Sequence, residues 1–322
     1  MRVCEFFDFA ISCGIEADPR GKKQVQEFLK QEKKRFEKLS DKEKKFFDIQ
    51  RLKNPYVDSR ILFNPHNNEV KTILCGIDIE VGEVLLADAL KKAGKKIDLI
   101  VAHHPAGYAY SNFFEVMDMQ PEVHEQWGVP INIGEALIKE RKSRVERNVL
   151  PRNHTRAQDA AKLLGIPFLN LHTPADNHVA TFLTEKFKGK KLKVGDVLDE
   201  LNSIEEYRWA KENFLPSPKI LVGDKNNSCG KIVVDMTGGT EPSEEIFEKM
   251  ANAGVGTVIG MHYSEKHIEK AKNSYINVIV AGHISSDTLG MNLLLDKIEA
   301  KFGKLQIFEC SGFHRVRRKK QV

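Results

Sequence analysis

No apolar run in the chain approaches the ~20 residues that a membrane-spanning helix needs, which excludes a helical bilayer span. The five cysteines (Cys4, Cys13, Cys75, Cys229, Cys310) are scattered and form no CxxC pair. That excludes a thiolate zinc site and a disulfide framework, and leads us to expect reduced thiols in a cytoplasmic protein. Glu5 and Asp8 interrupt the apolar stretch MRVCEFFDFAISCG, so no signal peptide is expected. There is no GK[ST] phosphate loop and no repeat of the kind that builds a solenoid. The body also lacks an excess charge. The net +5 comes from 50 basic and 45 acidic residues, and the last eight residues hold five of the basic ones (Arg315, Arg317, Arg318, Lys319, Lys320) and no acid. Without them the chain balances, so no nucleic-acid groove is expected. The tail could touch a polyanion, but the plainer expectation is a solvated, disordered terminus.

What is present is a change of pattern. Residues 20–54 are highly charged in both signs, with Phe28, Phe36, Phe46 and Phe47 interspersed. Ser40–Glu43 reads as a capping box, so a helical pair is expected there with one thin apolar face. From about residue 56, short β-rich apolar runs alternate with helical stretches. The runs are Thr72–Asp78, Asp98–Ala102, Pro167–His172, Lys231–Thr237, Gly256–Met261, Ile276–Gly282 and Lys304–Cys310. Such runs suit strands buried on both faces, and their alternation with helices predicts an α/β fold with mainly parallel sheets. Thr155–Gln158 reads as a second capping box, with Gly165 as that helix's stop; Thr240 reads as the cap of a helix over 241–253. The charged stretch 186–218, with Gly189, Pro216 and Pro218, is the best boundary between two lobes. The expected organisation is a helical extension (1–55), a first α/β lobe (56–185) and a second α/β lobe (186–322).

Five of the eleven histidines fall at or just past the carboxyl ends of these strands: His103, His104, His172, His262 and His283. Asp78 and Asp235 close two more. Ligand crevices of open α/β sheets lie outside those ends, so distant segments can deliver these groups to one place. Pro105 stiffens the turn that presents His103 and His104. Adjacent residues on a continuing strand point to opposite faces, so both can serve one centre only if the chain turns there or each holds its own ion. Asp176 follows a strand and can bridge two cations, or can close an Asx turn. His283 and Asp287 share a face if a helix starts near His283, and Asp287 could equally be a dipole-favoured helix residue. Together, three histidines and two aspartates are about what two divalent ions roughly 3.5–4 Å apart need, with water completing the shell. Such a donor set suits Zn, Mn, Fe or Co. Gly238, Gly239 and Thr240, joining a strand to a helix, could hold an anion on backbone N–H groups or could simply make a tight connection.

Taken together, EVKTILCGIDIE, LIVAHHP, HTPAD, TGGT before a helix, VIGMHYSEKH and AGHISSDTLG resemble the NGG-interacting-factor-three-like family of dinuclear metal proteins, some of which carry the label GTP cyclohydrolase I type 2. The likeness runs over roughly residues 56–310. It implies metal ligands His103, His104, Asp176, His283 and Asp287, two lobes facing a shared metal-binding cleft, and a ring-shaped homo-hexamer. Asp287 stands where the family usually has Glu, the family's Gly-x-Asn after HTxxD is replaced by DNHVATFL, VIGMHYSEKH lacks the usual Gly-Glu, and residues before 56 have no clear counterpart. The expected activity is metal-dependent hydrolysis of a nucleotide-like or phosphoester small molecule, with His172, His262 or Glu265 moving protons. The alternatives are a non-enzymatic metal-binding adaptor or chaperone, and nucleic-acid association through the tail.

Overall fold

The computed structural model describes residues 1–318, so Lys319 and Lys320, part of the expected basic tail, lie outside the described residues. The strands are β1 (Arg60–Phe63), β2 (Thr72–Gly76), β3 (Leu99–Ala102), β4 (Phe168–Asn170), β5 (Lys219–Val222), β6 (Lys231–Asp235), β7 (Val255–Gly260), β8 (Asn277–Val280) and β9 (Gln306–Cys310). They form two sheets, ordered β1-β4-β3-β2-β9 and β5-β8-β7-β6. Each is parallel except for one antiparallel edge strand, β1 on β4 and β5 on β8. The expected α/β class with mainly parallel sheets is therefore observed, and all seven expected strands are present.

The differences have physical causes. β1 and β5 were not expected; both are four-residue antiparallel edge strands, β1 fully buried only at alternate residues and β5 at best half-buried, so neither is buried on both faces as a central strand is. β9, expected in the second lobe, pairs with β2 in the first sheet, because the long helix His283–Phe302 carries the chain back across the molecule from β8. The stretch 186–218 is largely helical (Val194–Asn202 and Glu205–Glu212) and buries Val197, Leu201 and Tyr207; most of its charges face outward, but Glu206 is buried. The MRVCEFFDFAISCG stretch is itself a helix, Val3–Glu16. Glu5, Asp8 and Ser12 lie on its exposed face, while Val3, Phe6, Phe7, Ala10 and Ile11 are buried, an i, i+3, i+4 pattern. Beyond it stand Lys22–Lys38 and the short Asp41–Lys44, whose Ser40–Glu43 capping box forms as expected. The box at Thr155 does not: its hydroxyl donates to Asp159 (2.6 Å) and Gln158 donates to the Leu62 carbonyl (2.9 Å), although Gly165 (φ 64°) does stop that helix.

The largest apolar cluster draws on both sheets, joining Ile73, Leu99 and Val101 to Val233, Val258 and Val278. Two helices within this core position the site. Thr173–Phe187 follows β4, and His283–Phe302 follows β8. They pack against each other at Gly290, where a Cβ would overlap the Ala175 carbonyl group. Asp176 and Asp287, one residue past Ala175 and three before Gly290, are thereby brought together. A further helical segment, from Gly107–Ser111 through Ile131–Val149, leaves the end of β3 and reaches the second sheet's loops. Arg141 and Arg144 from it pair with Glu241 (3.2 Å) and Glu244 (2.8 Å). No helix among the described residues is long and apolar enough to cross a membrane.

Candidate metal centre

The strand β3 ends at Ala102, so His103 and His104 lie in a turn and not on a continuing strand; their rings are 5.2 Å apart and face one region. His103 is fully buried. Its Nδ1 lies 3.1 Å from the Leu171 carbonyl, which can only accept, so Nδ1 carries the proton and Nε2 presents a lone pair. That lone pair faces Asp176 Oδ1 at 3.4 Å and Asp287 Oδ1 at 3.5 Å without a hydrogen bond to either. Asp287 Oδ2 lies 3.4 Å from His104 Nε2 and 3.5 Å from His283 Nε2, and neither Asp287 oxygen has a hydrogen-bond donor. Asp176 Oδ2 lies 3.7 Å from His172 Nε2. Buried nitrogen and carboxylate lone pairs thus point at one another, which is costly unless a cation sits among them. His103/Asp176/Asp287, His104/His283/Asp287 and His103/His104/His172 each place their donor atoms within 4.8 Å, so the set fits a divalent ion in more than one position.

The outer partners fit the same reading. His104 Nδ1 donates to Asp78 (2.7 Å), and His172 Nδ1 donates to Asp58 (2.8 Å), which also accepts from Thr173 (2.6 Å). A carboxylate behind each imidazole fixes the tautomer that leaves Nε2 as a ligand. The charges of these residues act strongly on one another. Burial alone would lower the His104 pKa, but Asp287 and Asp78 outweigh it and push it up to about 10. Burial pushes Asp176 up to about 6, against His172 and His103. Asp287 goes the other way: burial raises it, but His103 and His104 hold it well below the carboxylate range. Burial takes His283 down to about 4.

This cluster floors a cavity of about 740 Å³ between the carboxyl ends of the two sheets. Among solved structures, the chain is similar to a NIF3 superfamily protein from Sphaerobacter thermophilus, at 28% identity over 80% of this chain and 92% of that one, with a TM-score of 0.69. That likeness supports a place for the chain in the NIF3-like family. Weaker likenesses are to reduced HcgD from Methanocaldococcus jannaschii (14% identity, 78% and 89% covered, TM-score 0.47) and to a Bacillus cereus protein related to NIF3 (10%, 80% and 91%, 0.45). No protein-family model and no curated protein matches the chain.

In this NIF3-like chain the five residues read as ligands, His103, His104, Asp176, His283 and Asp287, come together, and His172 joins them as a sixth donor rather than standing apart as a proton carrier. His262 reaches the cavity wall, 4.6 Å ring to ring from His283, with Nδ1 donating to Glu241 (2.9 Å). Glu265 does not belong there: it is exposed at the start of helix Glu265–Asn273 and lines no part of the cavity. His267 is a core histidine between Ser264 (2.7 Å) and the Pro242 carbonyl (3.0 Å). Gly239 and Thr240 line the cavity, but Gly238, Gly239 and Thr240 do not open a helix. The next helix, Ile246–Asn252, starts six residues after Thr240, so these residues do not sit at the helix N-terminus that the sequence pattern led us to expect. The glycines answer a packing need: both have positive φ, and a Cβ would come 2.8 Å from Gln120 at Gly238 and 2.8 Å from Val116 at Gly239. Gln120 also ties the turn down by donating to the Gly238 and Thr240 carbonyls. Sequence reasoning missed Asp58, which stands in no motif; Asp78 was visible as the residue closing a strand.

Proposed function

We propose that the chain is a dinuclear metal-binding protein that works as a metal-dependent hydrolase on a nucleotide-like or phosphoester small molecule. The observation that carries this reading is the convergence of buried, unpartnered donor atoms of His103, Asp176 and Asp287, with the two aspartates lining the floor of an open cavity and His103 buried beside them. Divalent ions held there supply a Lewis acid and an acidified water. His103, His104, His172, Asp176, His283 and Asp287 are the residues we assign to hold them, with Asp287 shared between the two positions. Asp78 and Asp58 keep His104 and His172 in the ligating tautomer. His262, its Nδ1–H held by Glu241, presents Nε2 toward the cavity and is the residue we assign to accept and return a proton. Arg141 steadies Glu241 from the helical segment after β3. We further expect a cytoplasmic homo-hexamer, from the family resemblance.

The test is a turnover panel of nucleotides and phosphoesters with protein reconstituted in turn with Zn, Mn, Fe and Co. The reading expects hydrolysis of at least one compound, loss in His103→Ala/His104→Ala, and a fall of about 100-fold or more in His262→Gln at unchanged metal content. Tight metal binding with no turnover across the panel supports the adaptor or chaperone alternative instead.

A further inference from the structure

The glycine turn does not open a helix, and the cavity offers a second candidate for holding an anion. Among the described residues lining it, the fixed cations are Arg152 and Arg156, on the loop that enters helix Arg156–Leu164. Every other fixed charge on the lining is acidic. Most of the chain's well-placed arginines are spent on carboxylates, as Arg60, Arg144, Arg315 and Arg318 are. Arg152 is different: among the described residues its guanidinium makes one hydrogen bond, from Nε to the Asn148 carbonyl (3.3 Å), and pairs with no carboxylate. Arg156 has only the exposed Glu80, at 3.6 Å. Neither guanidinium approaches Asp78, Asp176 or Asp287 within ion-pair distance, so these cations are separate from the metal floor.

Next to them the wall is aromatic. Tyr110 stacks parallel on Phe113 (5.4 Å between centroids, 2° between planes) and lies 5.3 Å from the His154 ring, which is tilted at 60° to it. All three rings line the cavity. Two forked guanidinium groups beside an aromatic wall suit a phosphate carried on a planar ring system. The volume, about 740 Å³, is within the roughly 300–1,000 Å³ of small-molecule sites.

We propose that Arg152 and Arg156, beside Tyr110, grip the phosphate of a nucleoside 5′-phosphate at the mouth of the cavity, away from the metal floor. This rests on the substrate class proposed above and adds where its anionic group is held. The phosphate is then a handle, and specificity is set by a loop the family motifs do not include.

The experiment is calorimetric binding of adenosine and guanosine 5′-monophosphates, the corresponding nucleosides and inorganic phosphate. It uses metal-loaded wild type, Arg152→Ala/Arg156→Ala and Arg152→Lys/Arg156→Lys, with metal content measured on each sample. The proposal expects at least one monophosphate to bind ten-fold or more tightly than its nucleoside. It expects that advantage to vanish in the alanine pair, to return in part in the lysine pair, and to shrink as salt rises, all at unchanged metal content. It is overturned if no monophosphate binds, if the alanine pair keeps the advantage, or if the advantage disappears only when metal is removed, which would put the phosphate on the floor. Arginine-dependent binding with no turnover leaves this inference standing while the hydrolase reading fails; turnover insensitive to the arginines does the reverse.

Discussion

Asp78 never reaches the donor cluster, yet the orientation of His104 depends on it. Its carboxylate accepts the Nδ1 proton of His104 at 2.7 Å, leaving Nε2 aimed at Asp287. Asp78→Asn keeps the shape but can present an N–H where an acceptor is needed. Metal affinity should fall by about 10- to 100-fold, measured by titration against a chromophoric chelator, while the fold is retained. An unchanged affinity would mean His104 is not oriented by Asp78. This residue was half legible in the sequence, as the acid closing a strand. Asp58 was not: its role depends on the antiparallel pairing of β1 with β4, more than a hundred residues away, which no local pattern announces. Glu265 was misplaced for the opposite reason. It follows a strand-end histidine closely, but the chain has already turned into a helix that points it at solvent.

Gly290 shows how the elements set the site. It lets helix His283–Phe302 lie directly on helix Thr173–Phe187, which is what brings Asp287 to Asp176. Gly290→Ala should force the helices apart and destabilise the fold by about 1–3 kcal/mol. Metal occupancy should fall with it, read by elemental analysis beside a urea unfolding curve; normal occupancy would uncouple that packing from the site. The motifs on each helix were legible in the sequence, as was the shared face of His283 and Asp287. The contact between the helices was not, because nothing local marks a glycine as an interhelical contact. A second element-level prediction concerns helix Gln120–Gln126, where burial without a charged partner takes His124 down to about 3. The unfolded chain, near 6.5, binds the proton first, so this group's stability contribution is complete above about pH 6.5 and is lost as pH falls toward 3. Between pH 7 and pH 5 the loss should be about 2 kcal/mol. His124→Phe should flatten that part of the urea-midpoint profile, and an identical profile in the variant would contradict the assignment.

Across the whole molecule, the clearest departure from the sequence reading is the basic tail. A run of like charges at a terminus reads as solvated, but three of its arginines have partners waiting. Arg315 is buried against Asp296 and Glu299, Arg317 pairs with Glu299, and Arg318 pairs at 2.6 Å with Glu206, itself 1% exposed. The acids are far away in sequence or on the outward turns of a long helix, so no local pattern announces the match. Arg318→Ala leaves a buried carboxylate short of a partner and should cost about 2 kcal/mol, seen as a Tm lower by a few degrees. A Tm equal to wild type would return the tail to the solvated reading. The α/β class and the parallel strands were legible because buried strands write themselves as apolar runs; the large apolar cluster shared by both sheets was not, because it depends on where the long helix returns the chain. Everything proposed about chemistry rests on the donor cluster. The most direct test is metal content per chain by elemental mass spectrometry, on wild type reconstituted with each candidate ion and on His104→Ala and Asp287→Ala. About two ions per chain in wild type, falling in both variants, is the predicted result. Little or no metal in reconstituted wild type, or the same content in all three proteins, would contradict it.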